Sequence, residues 1–215
     1  PGLPVVIVGA GGGYTYSASG PTHHAPDDLA LMTTLPGMTV VAPGDPDEVS
    51  QLFPQLIKNN GPAYFRVGRF GEPRYDAEEA PVLGKARLLR DGQQIAILTT
   101  GDMAAIALEA VELLRPDGIR PIVYQVHTVK PLDTHTLDQL AEKVGTFIVA
   151  EEQTPIGGLA AAVNNWRASW DGPIRIVRVG PPDAFALGNL EREALRSRHN
   201  YDAAAIAKAC AANWK

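Results

Sequence analysis

With 215 residues, 45% of them apolar and 20% charged, the chain has a globular composition and enough apolar side chains for one large or two small cores. A formal charge of −5 without a basic stripe argues against a nucleic-acid partner, because nothing is present to replace phosphate counterions. No apolar run approaches the ~18 residues of a membrane helix, and no charged n-region leads into a long apolar one, which argues against a membrane partner and a secretory leader.

Pro1-Gly2-Leu3-Pro4 leads straight into the apolar run Val5-Val6-Ile7-Val8, so the sequence reads like a chain entered midway. A continuous β-branched run suits a strand covered on both faces of a parallel sheet. Too few strands follow to supply its neighbours. Ser17-Ala18-Ser19-Gly20-Pro21-Thr22-His23-His24 is then a loop between strand and helix, the place where the carboxyl edge of a sheet leaves a crevice for a ligand. Two adjacent imidazoles there can donate, accept or carry charge near neutral pH; a pair of surface histidines in a capping loop is the alternative, and both stay open on local sequence. Pro26-Asp27-Asp28 opens a helix with acidic residues in its first turn, ending at Pro36-Gly37. Thr39–Ala42 is a short strand. Asp45 is an N-cap followed by Pro46 at the first helical position, and the helix should reach about Asn59, with Pro54 implying a kink or early break. Ala63 to Val67 forms a third strand that delivers Arg66 and Arg69 at or just beyond its carboxyl end, where two arginines can clamp an anion.

From Phe70 to Gly84 the pattern fails in a polar, turn-rich stretch, which is read as a linker between residues 1–69 and 85–215. Beyond it Ala86–Leu89, the Asp91-Gly92 turn and Ile95–Leu98 predict a hairpin feeding a central strand. Strands and helices then alternate: a helix to about Leu114, a strand from Pro121 to Val126, a helix capped by Asp133, a strand from Phe147 to Ala150, a helix opened by Gly157-Gly158, a strand from Ile174 to Val179 and a closing helix from Asp202 to Ala212. Cys210, the one cysteine, lies in that alanine-rich helix, cannot form an internal disulfide and fits a reducing cytoplasm. Repeated βα units predict a mostly parallel sheet with helices on both faces. Glu151 and Glu152 fall at a strand end, where paired carboxylates can do acid–base work or cap the Gly-Gly helix. His127, His135 and His199 are read as structural or solvated, and no metal site is visible.

Several strings together resemble the C-terminal part of the transketolase family, thiamine-diphosphate-dependent enzymes, almost from end to end. Gly20-Pro21-Thr22-His23 with its acidic helix, Leu35-Pro36-Gly37-Met38-Thr39-Val40-Val41-Ala42-Pro43 and Gly61-Pro62-Ala63-Tyr64-Phe65-Arg66-Val67-Gly68-Arg69 resemble the second half of the family's pyrimidine-binding domain. His127-Thr128-Val129-Lys130-Pro131-Leu132-Asp133, Glu151-Glu152 before Gly157-Gly158, and Gly180-Pro181-Pro182-Asp183-Ala184-Phe185 resemble landmarks of its C-terminal domain. No single motif is specific; their order and spacing are. The resemblance implies an α/β fold in which an incomplete parallel-sheet domain of the pyrimidine-binding type (residues 1–69) precedes a three-layer α/β/α domain (85–215). Split transketolases look most similar, deoxyxylulose-phosphate synthases next, and 2-oxoacid dehydrogenase β subunits further off.

The resemblance also implies roles. His23 falls on the histidine that hydrogen-bonds substrate oxygens and moves protons beside the reacting carbon, and Arg69 on the arginine that binds a sugar phosphate. Arg66 is its neighbour, with a structural salt bridge as the alternative, and His24 completes the candidate substrate site. Ser19 stands where many members carry an acidic residue, and Gly11 where transketolases carry a phosphate-binding histidine, so an acceptor and a cation partner of the usual sugar phosphate are replaced. The glutamate that activates the thiamine ring, the aromatic walls around it and the Gly-Asp-Gly…Asn arrangement for Mg²⁺ and diphosphate are expected outside this chain, and Gly101-Asp102-Met103 reads as a helix start.

The leading expectation is therefore a C-terminal part or subunit of a two-carbon ketol transferase acting on sugars or sugar phosphates. It would be cytoplasmic and would join an N-terminal transketolase half in a homodimer or heterotetramer, with thiamine diphosphate and Mg²⁺ bound by the complete assembly. Ile156, Leu159 and Val163 are expected to contribute to the joining surface. A deoxyxylulose-phosphate synthase-like part, a 2-oxoacid dehydrogenase β-like subunit and a noncatalytic module of the same fold are the alternatives.

Overall fold

The computed structural model describes residues 2–69, 71–77 and 79–215. Pro1, and Phe70 and Glu78 of the expected linker, lie outside the described residues.

The first 67 residues supply β1 (Val6–Ala10), α1 (Asp28–Thr34), β2 (Thr39–Val41), α2 (Pro46–Lys58) and β3 (Ala63–Val67). The rest supplies β4 (Arg87–Arg90), β5 (Ile95–Thr99), α3 (Met103–Leu114), β6 (Ile122–Gln125), β7 (Thr128–Lys130), α4 (Thr134–Ala141), β8 (Thr146–Ala150), α5 (Leu159–Arg167), β9 (Arg175–Val179), α6 (Arg192–Arg198) and α7 (Ala203–Ala211). These strands make two sheets, of orders β1-β3-β2-β7 and β4-β6-β5-β8-β9, parallel except where β7 joins β2 and β4 joins β6.

In the second sheet, alternation along β5 sends Ile95 and Ile97 toward α3 and α7, and Ala96 and Leu98 toward α4 and α5. That period of two, read on a strand buried on both faces, produces the three-layer α/β/α arrangement. Trp166 of α5 stacks on Phe147 of β8, ring centroids 5.6 Å apart, and closes one face. In the smaller sheet Val40 and Tyr64 pack under α1, while Val41 and Phe65 pack under α2.

Helix starts follow local chemistry. The Asp45 carboxylate accepts the Glu48 N–H at 2.7 Å at the head of α2. Asp133 accepts from Thr136 N–H at the head of α4 and, with its other oxygen, from Ala86 N–H, tying the start of the second sheet to that helix.

Several expectations change. Ala86–Leu89 and Ile95–Leu98 do not form a hairpin: β4 pairs antiparallel with β6, and β6 pairs parallel with β5. The Asp91-Gly92 turn reverses the chain as expected, but the returning strand is displaced by one place, and β5 takes the central position. Pro54 does not end α2, which runs on to Lys58; its ring is on the exposed side, while Leu52 and Leu56 are buried one turn apart and hold the helix through the proline. Leu159 and Val163 are buried against β8 on the α4 and α5 face of the second sheet, so of the three residues expected on a joining surface only Ile156 is exposed, at 71%. The segment 71–84 carries no helix or strand among its described residues, yet Tyr75 within it is buried in the larger core.

The two sheets are joined by more than the linker. Strand β7 lies in the second part of the sequence but pairs with β2 of the first, and Ala42 N–H donates to His127 C=O at 2.7 Å. Nearby, Gly101 N–H donates to Ala42 C=O. Buried Arg87 and Glu48, 3.2 Å apart, connect β4 to α2.

Candidate functional site

Parallel pairing of β1 with β3 brings the carboxyl ends of both strands together, so the glycines after β1 lie beside Arg66 and Val67. A Cβ on Gly12 would lie 1.8 Å from Arg66 Nε, and only the lack of one lets the chain pass this close. The loop that follows is closed at its base by two backbone hydrogen bonds, Gly13 N–H to Ala25 C=O at 2.9 Å and Ala25 N–H to Gly13 C=O at 2.8 Å. Inside it are two short 3-10 turns, Ser17–Ser19 and Pro21–His23, joined at Gly20, whose φ of 83° L side chains rarely adopt.

His23 is exposed at the tip, its Nδ1 3.0 Å from Thr22 Oγ1, which leaves Nε2 for a ligand. His24 turns inward: its Nε2 meets Ser17 C=O at 3.1 Å and its ring meets Tyr14 edge-on at 4.9 Å. Ser19 is exposed beside His23 on the same loop. Arg69 is also exposed, with its guanidinium 4.7 Å above the Tyr16 ring, so a cation–π contact ties it to the loop. Arg66 does not join them. It is 7% exposed, its Nε lies 3.5 Å from Asp28 Oδ2, and it packs beneath Gly12, the contact that the salt-bridge alternative describes.

The second part of the chain holds this loop at both ends. Tyr14 N–H donates to Glu152 Oε1 at 2.7 Å, Gln153 Nε2 donates to Asp28 Oδ1 at 2.8 Å, and Thr154 N–H donates to Pro26 C=O at 2.8 Å. Glu152 is gripped in turn from α6: Arg192 donates to Oε1 and Arg196 Nε to Oε2 at 2.8 Å, and both arginines pair with Asp102. Burial alone would raise the Glu152 pKa, but the Arg192 and Arg196 charges outweigh it and hold the carboxyl at about 2. The neighbouring carboxyl differs. Glu151 takes Arg178 Nε at 2.8 Å and accepts from Ala160 N–H in the first turn of α5, which is the capping alternative, and burial pushes its pKa up. Neither glutamate is poised as one of a pair of exposed acid–base groups.

Helix α6 is absent from the elements expected from sequence. Its run Arg192-Glu193-Ala194-Leu195-Arg196 is made of good helix formers, a signal for a helix, but nothing in the sequence says that the partner of the two arginines is Glu152. A groove of about 500 Å³ runs between the His loop and the loops after β8 and β9, lined by His24, Asp27, Thr154, Asp183 and Phe185 among others. His127 is buried, His135 is exposed on α4, and His199 follows α6.

Two family descriptions match this chain: the pyrimidine binding domain of transketolase over residues 1–70 and the transketolase C-terminal domain over 84–206. The chain belongs to the transketolase family. It is 40% identical over 185 residues to the 6-deoxy-6-sulfo-D-fructose transketolase subunit SqwH of Clostridium sp. (strain MSTE9), a match covering 86% of this chain and 57% of that protein. It is 37% identical to an apulose-4-phosphate transketolase subunit of Phocaeicola vulgatus, covering 86% and 60%. The 1-deoxy-D-xylulose-5-phosphate synthase of Chlorobium phaeovibrioides is 35% identical, covering 96% and 33%. A structure described as a split gene transketolase, inactive beta4 tetramer, superposes with a TM-score of 0.88 at 31% identity, covering 99% of this chain and 68% of that one. A transketolase from Pichia Stipitis, at 17% identity and a TM-score of 0.79, shares the fold. The chain thus spans 57 to 60% of the length of the two transketolase subunits.

Transketolase chemistry implies thiamine diphosphate and a metal ion. Among the described residues no three His, Cys, Asp or Glu side chains converge as a metal site. Asp102, which follows Gly101 as in a diphosphate-binding turn, is committed to Arg192 and Arg196. The described residues do not fit the metal–diphosphate group. No helix among them is long and apolar enough to cross a membrane.

Proposed function

We propose that this chain is the C-terminal part or subunit of a transketolase-type transferase that moves a two-carbon ketol unit between sugars or sugar phosphates. The observation that carries the reading is His23, exposed with Nε2 open, on a loop held by both sheets of a chain whose similar proteins are transketolase subunits. In the assembled enzyme His23 hydrogen-bonds a substrate oxygen and takes or returns its proton as the carbon–carbon bond breaks or forms. Arg69, beyond the end of β3, pairs with an anionic group at the far end of the substrate. Ser19 offers a hydroxyl at the same rim. Thiamine diphosphate, when bound by the assembly, supplies the electron sink, and we place its metal and diphosphate contacts outside this chain.

The partner we propose is an N-terminal transketolase part that covers β1. Among the described residues that strand lies at the end of its sheet, paired with β3 alone, and Ile7 and Val8 in it and Val5 just before it are between 43 and 52% exposed. An uncovered β-branched edge strand is a template for pairing with more chain. We propose a homodimer or heterotetramer as the working assembly. A cytoplasmic location agrees with Cys210, a free and buried thiol.

The test is reconstitution with the N-terminal part, thiamine diphosphate and Mg²⁺, followed by ketol transfer from a ketose to an aldose. Transfer dependent on both parts is the expected result. A complete assembly inert toward all ketose–aldose pairs, phosphorylated and not, overturns the reading. The 215-residue chain alone is expected to show no micromolar affinity for thiamine diphosphate in calorimetry.

A further inference from the structure

We infer that Glu152 is a positioning residue for the His23 loop, acting through the Tyr14 amide; this rests on the functional reading above. The loop between Gly13 and Ala25 has only two 3-10 turns and no regular strand or helix of its own, so its placement depends on what holds its base. Three consecutive residues after β8 do this. Glu152 takes Tyr14 at the start of the loop, while Gln153 and Thr154 take Asp28 and Pro26 just past its end.

Glu152 can serve as a fixed point because both its oxygens are saturated. Oε1 receives Tyr14 N–H and Arg192, Oε2 receives Arg196, and the carboxylate cannot rotate without breaking charge-assisted bonds on either side. Asp102 balances the second positive charge, so the group built on buried Glu152 and Arg196 is two acids and two arginines. The arginines need a carboxylate, but a carboxylate alone need not reach Tyr14. Side-chain length separates positioning from charge balance. From the anchored Tyr14, the ring reaches His24 at 4.9 Å, and His24 reaches Ser17 C=O, which leads to Ser19 and His23. Catalytic groups displaced by about 1 Å can lose on the order of a hundredfold in rate.

The test uses two variants and two readouts. Glu152→Gln keeps the length and an acceptor but loses the charge; Glu152→Asp keeps the charge but is one methylene short of Tyr14. Hydrogen–deuterium exchange on each folded chain is expected to quicken on the order of tenfold in residues 13–25 for Glu152→Asp, with β5 and β8 amides changed less than twofold. In the reconstituted enzyme Glu152→Asp is expected to lower kcat tenfold or more with KM within twofold. Glu152→Asp behaving as wild type in both readouts overturns the proposal, as does exchange that quickens uniformly over the whole chain. Should Glu152→Gln fail to fold, Arg192→Lys, which keeps the charge but loses the fork, is expected to loosen residues 13–25 in the same local way, and an unchanged loop there also overturns it. If wild-type enzyme transfers no ketol unit, the functional reading fails, while the exchange arm still decides whether Glu152 holds the loop.

Discussion

Glu152 Oε1 and the Tyr14 amide meet at 2.7 Å although 138 residues separate them in the chain. A single buried carboxylate thereby joins the end of β8, helix α6 and the base of the His loop.

The first prediction concerns that carboxylate's partners. Arg196→Ala leaves buried Glu152 and half-buried Asp102 with one guanidinium between them, and removing one partner from a buried ion group typically costs about 3–5 kcal/mol. Arg74→Ala breaks a pair with Asp47 whose side chains are 72% and 43% exposed, so its effect should stay within about 0.5 kcal/mol. Urea denaturation of both variants checks the contrast; equal effects would show that the Glu152 network carries no special stability.

The second prediction is a pH dependence in two windows. Burial, with the nearby Arg87 charge, lowers the His127 pKa from 6.5 to about 4, against the smaller opposing pull of Asp133. Thr128 Oγ1 accepts from Gly84 N–H and lies 3.0 Å from His127 Nδ1, so the hydroxyl is placed to donate to a neutral ring. The unfolded chain takes up this proton first. Stability from His127 is therefore full above pH 6.5 and falls as pH drops from 6.5 toward 4, by at most about 1.4 kcal/mol per unit. Glu152 acts lower: its folded pKa of about 2 lies below the ordinary 4.5, so its contribution is full above 4.5 and lost as pH falls through about 2. Denaturant midpoints across pH 7 to 4 should flatten in His127→Gln; an unchanged slope would refute the assignment.

How much of this is legible in the sequence follows from which interactions are local. Asp45 and Asp133 are readable as caps because the groups they satisfy lie three residues away, and the continuous apolar runs of β5 and β8 within repeated βα units point to a sheet covered on both faces. The hairpin expectation fails because the Asp91-Gly92 turn encodes a reversal but not which strand comes next to β4. Arg66 and Arg69 look equivalent in sequence; only the glycines stacked over Arg66, brought there by β1–β3 pairing, decide that one is buried and the other exposed. Glu152 is visible as half of an acidic pair, but its meaning depends on α6, 40 residues on, and on Tyr14, 138 residues back.

The third prediction tests the uncovered strand. Ile7 and Val8 are 43 and 52% exposed on an end strand, so charged replacements there cost this chain little while opposing any partner strand or apolar cover. Ile7→Lys with Val8→Lys should leave the melting temperature of the chain within a few degrees and abolish its co-purification with an N-terminal transketolase part. Undiminished assembly, read by light scattering, would move the joining surface elsewhere.

The last prediction separates catalysis from anchoring within the His loop. His23 is exposed and makes one weak local contact, to Thr22, so His23→Ala should barely alter stability; a positioned acid–base or hydrogen-bonding group nevertheless contributes ~10²–10⁴-fold, and kcat/KM of the reconstituted enzyme should fall within that range. Arg69 has a different task. Its guanidinium is held above the Tyr16 ring just beyond the end of β3, so Arg69→Ala should raise KM for phosphorylated substrates while leaving kcat and the unphosphorylated substrates nearly unchanged. Tyr16→Ala, which removes the ring beneath Arg69, should reproduce that KM effect in weaker form. Steady-state kinetics with matched phosphorylated and neutral sugars check all three variants. If His23→Ala kept full turnover, or Arg69→Ala impaired neutral and phosphorylated sugars alike, the roles assigned to these two residues would be wrong.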